Sequence, residues 1–202
     1  MSHYFTNDTV KSEEKEIDVA INNQNLKFIT DNGVFSKKGL DFGTRSLLES
    51  IDTLEIKGNV LDFGCGYGPI GIYLKKVCDC TVDMVDVNER ALSLAAKNAV
   101  LNKVEVNIFK SNIYSSINKD YDFIVTNPPI RVGKKILYDI LFSSIKHLKP
   151  NGKLIFVINK DQGAKSVMKD LNEVAKTELI KKNKGFYVIT AKNRWLFNKN
   201  SL

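Results

Sequence analysis

Two short runs in this sequence have the residue types and spacing to do chemistry. The first is Val60-Leu61-Asp62-Phe63-Gly64-Cys65-Gly66-Tyr67-Gly68-Pro69-Ile70-Gly71, where three alternating glycines follow an acidic residue. Alternating glycines permit a tight turn and let a ligand approach the backbone, at the strand-to-helix junction where α/β folds bind nucleotides. The nicotinamide and flavin fingerprint, Gly-x-Gly-x-x-Gly, brings a pyrophosphate onto a helix N-terminus. Here the spacing is Gly-x-Gly-x-Gly, and a carboxylate stands just ahead of it. Asp62 would repel a pyrophosphate but suits a ligand with an ammonium and a sulfonium, as in S-adenosylmethionine. Asp86, in Met84-Val85-Asp86-Val87-Asn88, is placed to accept hydrogen bonds from both hydroxyls of a ribose.

The second run is Thr126-Asn127-Pro128-Pro129-Ile130-Arg131. Two consecutive prolines continue neither a strand ladder nor a helix, so the chain turns rigidly and fixes the direction of the preceding side chain. That side chain is an amide. An exocyclic amine of adenine or guanine is a poor nucleophile because its lone pair is conjugated with the ring. Accepting its two N–H bonds, at the Asn127 side-chain oxygen and the Pro128 carbonyl, favours a pyramidal nitrogen with its lone pair turned toward a methyl donor. The nitrogen becomes acidic only as it is alkylated, so alignment and electrostatics matter more than a strong base. The expected chemistry is methyl transfer to a base nitrogen, with no catalytic His, Cys or metal.

The surrounding pattern predicts the elements that hold these runs. Glu16 to Ile21 and Leu26 to Thr30 alternate apolar and polar residues around Asn22-Asn23, predicting a β-hairpin. Thr44 is expected to cap a short helix through Ile51. Strands are then predicted at Asn59–Phe63, Thr81–Val85, Val104–Phe109, Phe123–Thr126 and Lys153–Ile158. The predicted helices are Pro69–Val77, Glu89–Asn102, Gly133–Leu148 and Gln162–Ala175. Glu178–Lys182 and Phe186–Ala191 are too close for a helical crossover and predict a closing antiparallel hairpin. The expected fold is α/β: a doubly wound, mostly parallel seven-stranded sheet that ends in an antiparallel hairpin. Residues 1–52 are expected to form an extension packed on a core of residues 53–202, as one compact domain.

Composition narrows the setting. The chain has 202 residues, 43% hydrophobic and 26% charged, which suits one globular domain. Three cysteines, Cys65, Cys78 and Cys80, are odd in number and lack a zinc-site spacing, so neither a disulfide framework nor a metal site is expected. No signal peptide or membrane-length apolar run is evident, and the expected location is the cytoplasm. Residues 1–130 carry 14 Lys/Arg against 18 Asp/Glu, whereas residues 131–202 carry 16 against 5. A basic C-terminal third suits an anionic polymer such as RNA, although a compositional bias toward Lys, Asn and Ile gives the same excess.

Taken together, Asp62-x-Gly-x-Gly-x-Gly, Asp86 and Asn127-Pro-Pro resemble the class I, Rossmann-like methyltransferases that act on exocyclic amines or on the glutamine amide of release factors. Gly33-Val-Phe-Ser, Leu40-Asp-Phe-Gly-Thr-Arg45, Gly64-Cys-Gly-Tyr-Gly-Pro-Ile-Gly71 and Asn127-Pro-Pro-Ile-Arg131 extend the likeness to the small-subunit ribosomal RNA guanine-N2 methyltransferase family. The resemblance implies that Asp62, Gly64, Cys65, Gly66, Gly68, Asp86 and Val87 line S-adenosylmethionine, with S-adenosylhomocysteine as the product. Gly43 and Thr44 would lie near the cofactor. Asn112, with Ile113 beside it, stands where the wider superfamily usually has an Asp reading the adenine amine, and its amide oxygen still accepts that hydrogen bond. Asn127, Pro128, Pro129 and Ile130 would face the target base, and Phe35 would help close the pocket. Better-known members carry an additional N-terminal domain, so RNA targeting is expected to rest on the basic C-terminal third or on oligomerisation.

The reading from the residues keeps rivals open: a glutamine N5 protein methyltransferase, a DNA adenine N6 methyltransferase, and a cofactor-binding protein without catalysis. Ile130 stands where the first two typically carry a stacking aromatic, which weighs against them. Arg131, Lys134 and Lys135, just beyond the turn, are placed to bind phosphates flanking the target.

Overall fold

The computed structural model describes residues 11–34, 36, 39–129 and 133–193. Two strands, β1 (Lys15–Ile21) and β2 (Gln24–Thr30), form an antiparallel hairpin whose turn residue Asn22 has φ +48°. Asn tolerates this left-handed conformation better than most side chains. The outer edge of β2 is closed by two side chains of helix α3 (Glu89–Leu101) and its C-cap. Asn98 accepts from Ile29 N at 2.6 Å and donates to Ile29 O at 3.0 Å. Asn102 does the same for Lys27, at 3.1 and 2.7 Å. Two asparagines one helical turn apart thus pair Lys27 and Ile29 in place of a neighbouring strand.

The main sheet has the order β5-β4-β3-β6-β7-β9-β8. Its parallel members are β3 (Gly58–Phe63), β4 (Cys80–Asp86), β5 (Asn107–Lys110), β6 (Tyr121–Thr126) and β7 (Leu148–Asn159). The last two strands, β8 (Ala175–Asn183) and β9 (Phe186–Asn193), run antiparallel to their neighbours. Lys184 and Gly185 join them with φ of +42° and +85°, the signs that two-residue hairpin turns favour. Helices α2 (Pro69–Val77), α4 (Lys134–Lys146) and α5 (Ala164–Leu171) complete the layers with α3 and α1 (Phe42–Leu48). The predicted α/β architecture is therefore present, hairpin ending included.

One face of the sheet shares its core with the N-terminal hairpin: Ile21, Leu26 and Phe28 pack with Val60, Ile72 and Met84. The other face buries Leu61, Ile124 and Phe156 against Leu141 and Val167. Among the described residues no helix is long and apolar enough to cross a membrane.

Several boundaries differ from the sequence expectation: the helix expected through Ile51 ends at Leu48, and the one expected over Gly133–Leu148 ends at Lys146, because Leu148 already opens β7, which was expected only from Lys153. Three further differences have a local cause. The helix expected from Thr44 starts at Phe42, because Asp41 is the cap: its Oδ1 accepts from Gly43 N at 2.9 Å and Thr44 N at 3.1 Å. The strand expected from Val104 begins at Asn107. The preceding residues close α3 instead, with Lys103 at φ +57° and Val104 N donating to Ala99 O at 3.0 Å. The helix expected over Gln162–Ala175 spans only Ala164–Leu171, since Gly163 at φ +86° separates it from a short 3-10 turn and Ala175 already belongs to β8.

Candidate active site

In an open parallel sheet, ligands bind beyond the carboxyl ends of the strands where the connections diverge. Here β3 lies between β4 and β6, and the three strands end in the glycine turn, Asp86 and Asn127 respectively. The topology alone therefore brings both chemistry-bearing runs to one edge. Thr126 ties them together, its hydroxyl donating to Phe63 O at 2.8 Å.

Gly64 and Gly66 have φ of +70° and +55°, and a Cβ on either would meet nothing within 4 Å. Their side of the turn is an open cradle. Asp86 anchors it: Oδ2 accepts from Gly66 N and Oδ1 from Asn88 N, each at 2.9 Å. Each oxygen keeps acceptor capacity for a ligand hydroxyl. Burial above all holds the Asp86 carboxyl above its ordinary range.

Asp62 is fully buried. Its Oδ2 accepts from Gly71 N at 2.8 Å, while Oδ1 has no hydrogen-bond partner. Burial, reinforced by the Asp86 charge and opposed by the Gly71 bond, pushes its carboxyl up to about 7. A buried acceptor left open costs free energy unless something arrives to pair it. The Tyr67 hydroxyl, also buried and unpartnered, lies in the same turn. Its proton is held well above the usual phenol range, by burial first and the Asp41 charge second. These orphaned atoms and the open glycine face fit S-adenosylmethionine, which brings an ammonium, a carboxylate and a ribose edge.

Asn127 is fixed by groups the sequence reading did not single out for this role. Its Nδ2 donates to Thr44 Oγ1 at 2.9 Å and approaches both oxygens of Asp41 at 3.3 Å. The Thr44 hydroxyl in turn donates to Asp41. With its one proton given to Asp41, the Thr44 hydroxyl can only accept from Asn127, so the amide nitrogen must face this pair and the amide oxygen must face away. Asp41 could have been noticed as a second cap candidate three residues before Thr44; its link to Asn127 has no local signal.

The remaining predicted residues fall into distinct positions. Asn112 is exposed at the end of β5, next to Asp86 through the Ser111 N to Asp86 O bond of 3.1 Å, and Ile113 follows with φ +52°. Val87 and Pro129 are half-buried; Pro128 is buried. Cys65 is buried at the turn and burial pushes its thiol up, so it offers no nucleophile. Gly68 faces the core, where a Cβ would lie 2.8 Å from Met84 Cε, and its N–H is spent on Cys65 O. Gly43 is buried against the Phe186 ring. Lys134 and Lys135 are exposed at the start of α4. Phe35, Ile130 and Arg131 lie outside the described residues. Among the described residues no cluster of three or more His, Cys, Asp or Glu is arranged to hold a metal ion.

Residues 25–190 match the methyltransferase small domain family. The chain is 43% identical to an uncharacterized Bacillus subtilis protein, YbxB, over 94% of its own length and 98% of that protein. It is 41% identical to ribosomal RNA small subunit methyltransferase C of Psychromonas ingrahamii, over 69% of this chain and 41% of that protein. The chain thus spans less than half the length of that named relative. Among solved structures it resembles the T. thermophilus 16S rRNA N2 G1207 methyltransferase in complex with AdoMet and guanosine. The TM-score is 0.81 at 22% identity, covering 90% of this chain and 51% of the other.

Proposed function

Since this chain belongs to the methyltransferase small domain family and is an S-adenosylmethionine-dependent methyltransferase, we propose that its acceptor is guanine N2 in small-subunit ribosomal RNA. The observation that carries the reading of an amine acceptor is the locked amide of Asn127. Asp41 and Thr44 take its Nδ2, so Oδ1 is turned away from them and is free to accept from a substrate. An amine N–H on Oδ1 and a second on the Pro128 carbonyl hold the nitrogen pyramidal.

Asp62 and Tyr67 would hold the amino-acid end of the cofactor, and Asp86 its ribose. Gly64 and Gly66 give it room, and Asn112 and Val87 border the adenine side. When bound, S-adenosylmethionine supplies a methyl group on a sulfonium, whose carbon is electrophilic. An amine nitrogen bonding to that carbon, as the carbon leaves sulfur, would gain positive charge. The Asn127 oxygen stabilises that charge in a site fixed beforehand, and water takes the proton afterwards. Lys134 and Lys135 flank the turn as phosphate contacts.

The choice of guanine N2 in RNA is supported by the activities that the relatives' names give and by the basic C-terminal third. It is tested by transferring labelled methyl groups to RNA, DNA and protein fractions from a strain lacking the gene, followed by nucleoside analysis. N2-methylguanosine in small-subunit RNA is the expected product. Label confined to protein or DNA would overturn the acceptor.

A further inference from the structure

We propose that the β8–β9 turn and the start of α1 form a second RNA subsite, which stacks a base flanking the target and binds its phosphates. This rests on the RNA reading above.

The topology puts the turn beside the reaction centre. Strands β6 and β7 are parallel neighbours, so the end of β7 lies next to Asn127. Phe186 pairs with Asn159 at that end, and Asn183 pairs with Phe186. Lys160 N donates to Gly185 O at 2.7 Å and pins the turn there. Across from it stands Phe42, next in sequence to Asp41.

Phe42 and Phe186 have ring centroids 5.7 Å apart at 46°, and both are half-buried, so each keeps solvent-facing surface. Gly43 permits the approach, since a Cβ there would lie 3.0 Å from Phe186 Cε1. The Lys184 ammonium sits 5.3 Å from the Phe42 ring centroid, and that of Lys182 sits 5.2 Å from the Tyr187 ring centroid. Lys160, Lys182 and Lys184 are exposed, and no carboxylate among the described residues pairs with them. Lys181, on the same strand, does pair, with Glu49 at 3.2 Å.

Aromatic surface with unpaired lysines around it is what an unpaired nucleic-acid strand needs: a stacking platform and cations for the backbone. An acidic peptide would use the lysines but not the planar faces. A guanine whose amine is reached at Asn127 must leave its helix, so its neighbours are available to stack. An arriving base replaces the Lys184 ammonium over Phe42, a weak contact at an exposed site, and frees that lysine for a phosphate.

The test uses the full chain, labelled guanine-containing single-stranded RNA and a salt series, with cofactor affinity measured separately. Lys182→Glu combined with Lys184→Glu should weaken RNA binding tenfold or more and flatten the log–log salt slope by roughly 1.4, the share of two phosphates on a single strand. Phe42→Leu should weaken binding by at least about fivefold with the slope unchanged. Cofactor affinity should stay at the wild-type value in all of them. Wild-type RNA affinity and slope in these variants, with RNA methylated normally, would overturn the subsite and leave the acceptor reading intact. A wild-type protein that neither binds nor methylates RNA would overturn both.

Discussion

The carboxylate that caps α1 also orients the amide that precedes the two prolines: Asp41 accepts from Gly43 N and Thr44 N and, 86 residues away in sequence, faces Nδ2 of Asn127 at 3.3 Å. One side chain thus sets both where a helix begins and which way the Asn127 amide points.

Asp41→Asn separates these roles. Asn caps helices about as well as Asp, so the thermal midpoint should stay close to wild type. An amide side chain at position 41 can donate as well as accept, so it no longer dictates the orientation of Asn127. The turnover number should fall on the order of 10–100-fold while cofactor affinity is retained. Steady-state kinetics with parallel calorimetry checks this, and equal losses in affinity and stability would assign Asp41 to folding alone.

With Asp62 proposed at the amino-acid end of the cofactor, cofactor binding should depend on pH. Its carboxyl is raised to about 7 in the free protein, so below that pH it is largely protonated and cannot pair with an ammonium. Affinity should rise with pH through 6 and level off above about 7, with proton release on binding near pH 6. For folding the sign is opposite. The native state binds more protons here than the unfolded chain between the ordinary value of 3.8 and about 7, so this group's contribution to stability falls as pH rises through that window. Calorimetry in buffers of different ionisation enthalpy reads the proton, and Asp62→Asn should abolish its release.

Tyr67→Phe removes a buried hydroxyl that has no partner in the free protein. The free protein should be as stable as wild type or more stable, by up to ~1 kcal/mol. The stabilisation added by saturating cofactor should shrink. A lowered midpoint in the free variant would mean the hydroxyl is bonded after all.

Asn98 couples the hairpin to the glycine turn, since its Nδ2 reaches both Ile29 O at 3.0 Å and Tyr67 O at 2.8 Å. The Asn98 side chain is fully buried, and Asn98→Ala strands those two carbonyls and Ile29 N, which should cost about 3 kcal/mol in chemical denaturation. Cofactor affinity should also drop, because the turn loses a brace. A loss confined to stability would leave the hairpin as mere cover.

What could be read from the sequence was what neighbours in sequence determine. The glycine turn declares itself because strand, turn and helix are contiguous, and Asn127 because two prolines follow it. The likeness noticed in Leu40–Arg45, the glycine turn and Asn127–Arg131 is borne out at the level of the family. The orientation of Asn127 was not readable, because it depends on a tertiary contact with Asp41, three positions before the residue expected to cap the helix. Asn98 and Asn102 are polar residues on the buried face of α3, one turn beyond Leu94, Ala95 and Ala99, and only the fold reveals that a strand edge waits opposite them. Gly68 shows the converse limit: its spacing placed it with the ligand-facing glycines, whereas the packing of Met84 and Ile72 turns it to the core.

The central claim is that the Asn127 amide aligns a guanine amine for methyl transfer without contributing to cofactor binding. Its most direct test is the single-turnover rate of N2-methylguanosine formation in wild type and Asn127→Ala, alongside cofactor affinity. The account predicts unchanged affinity and a rate lowered on the order of 10²–10³-fold; a wild-type rate, or a loss of affinity that matches the loss of rate, would contradict it.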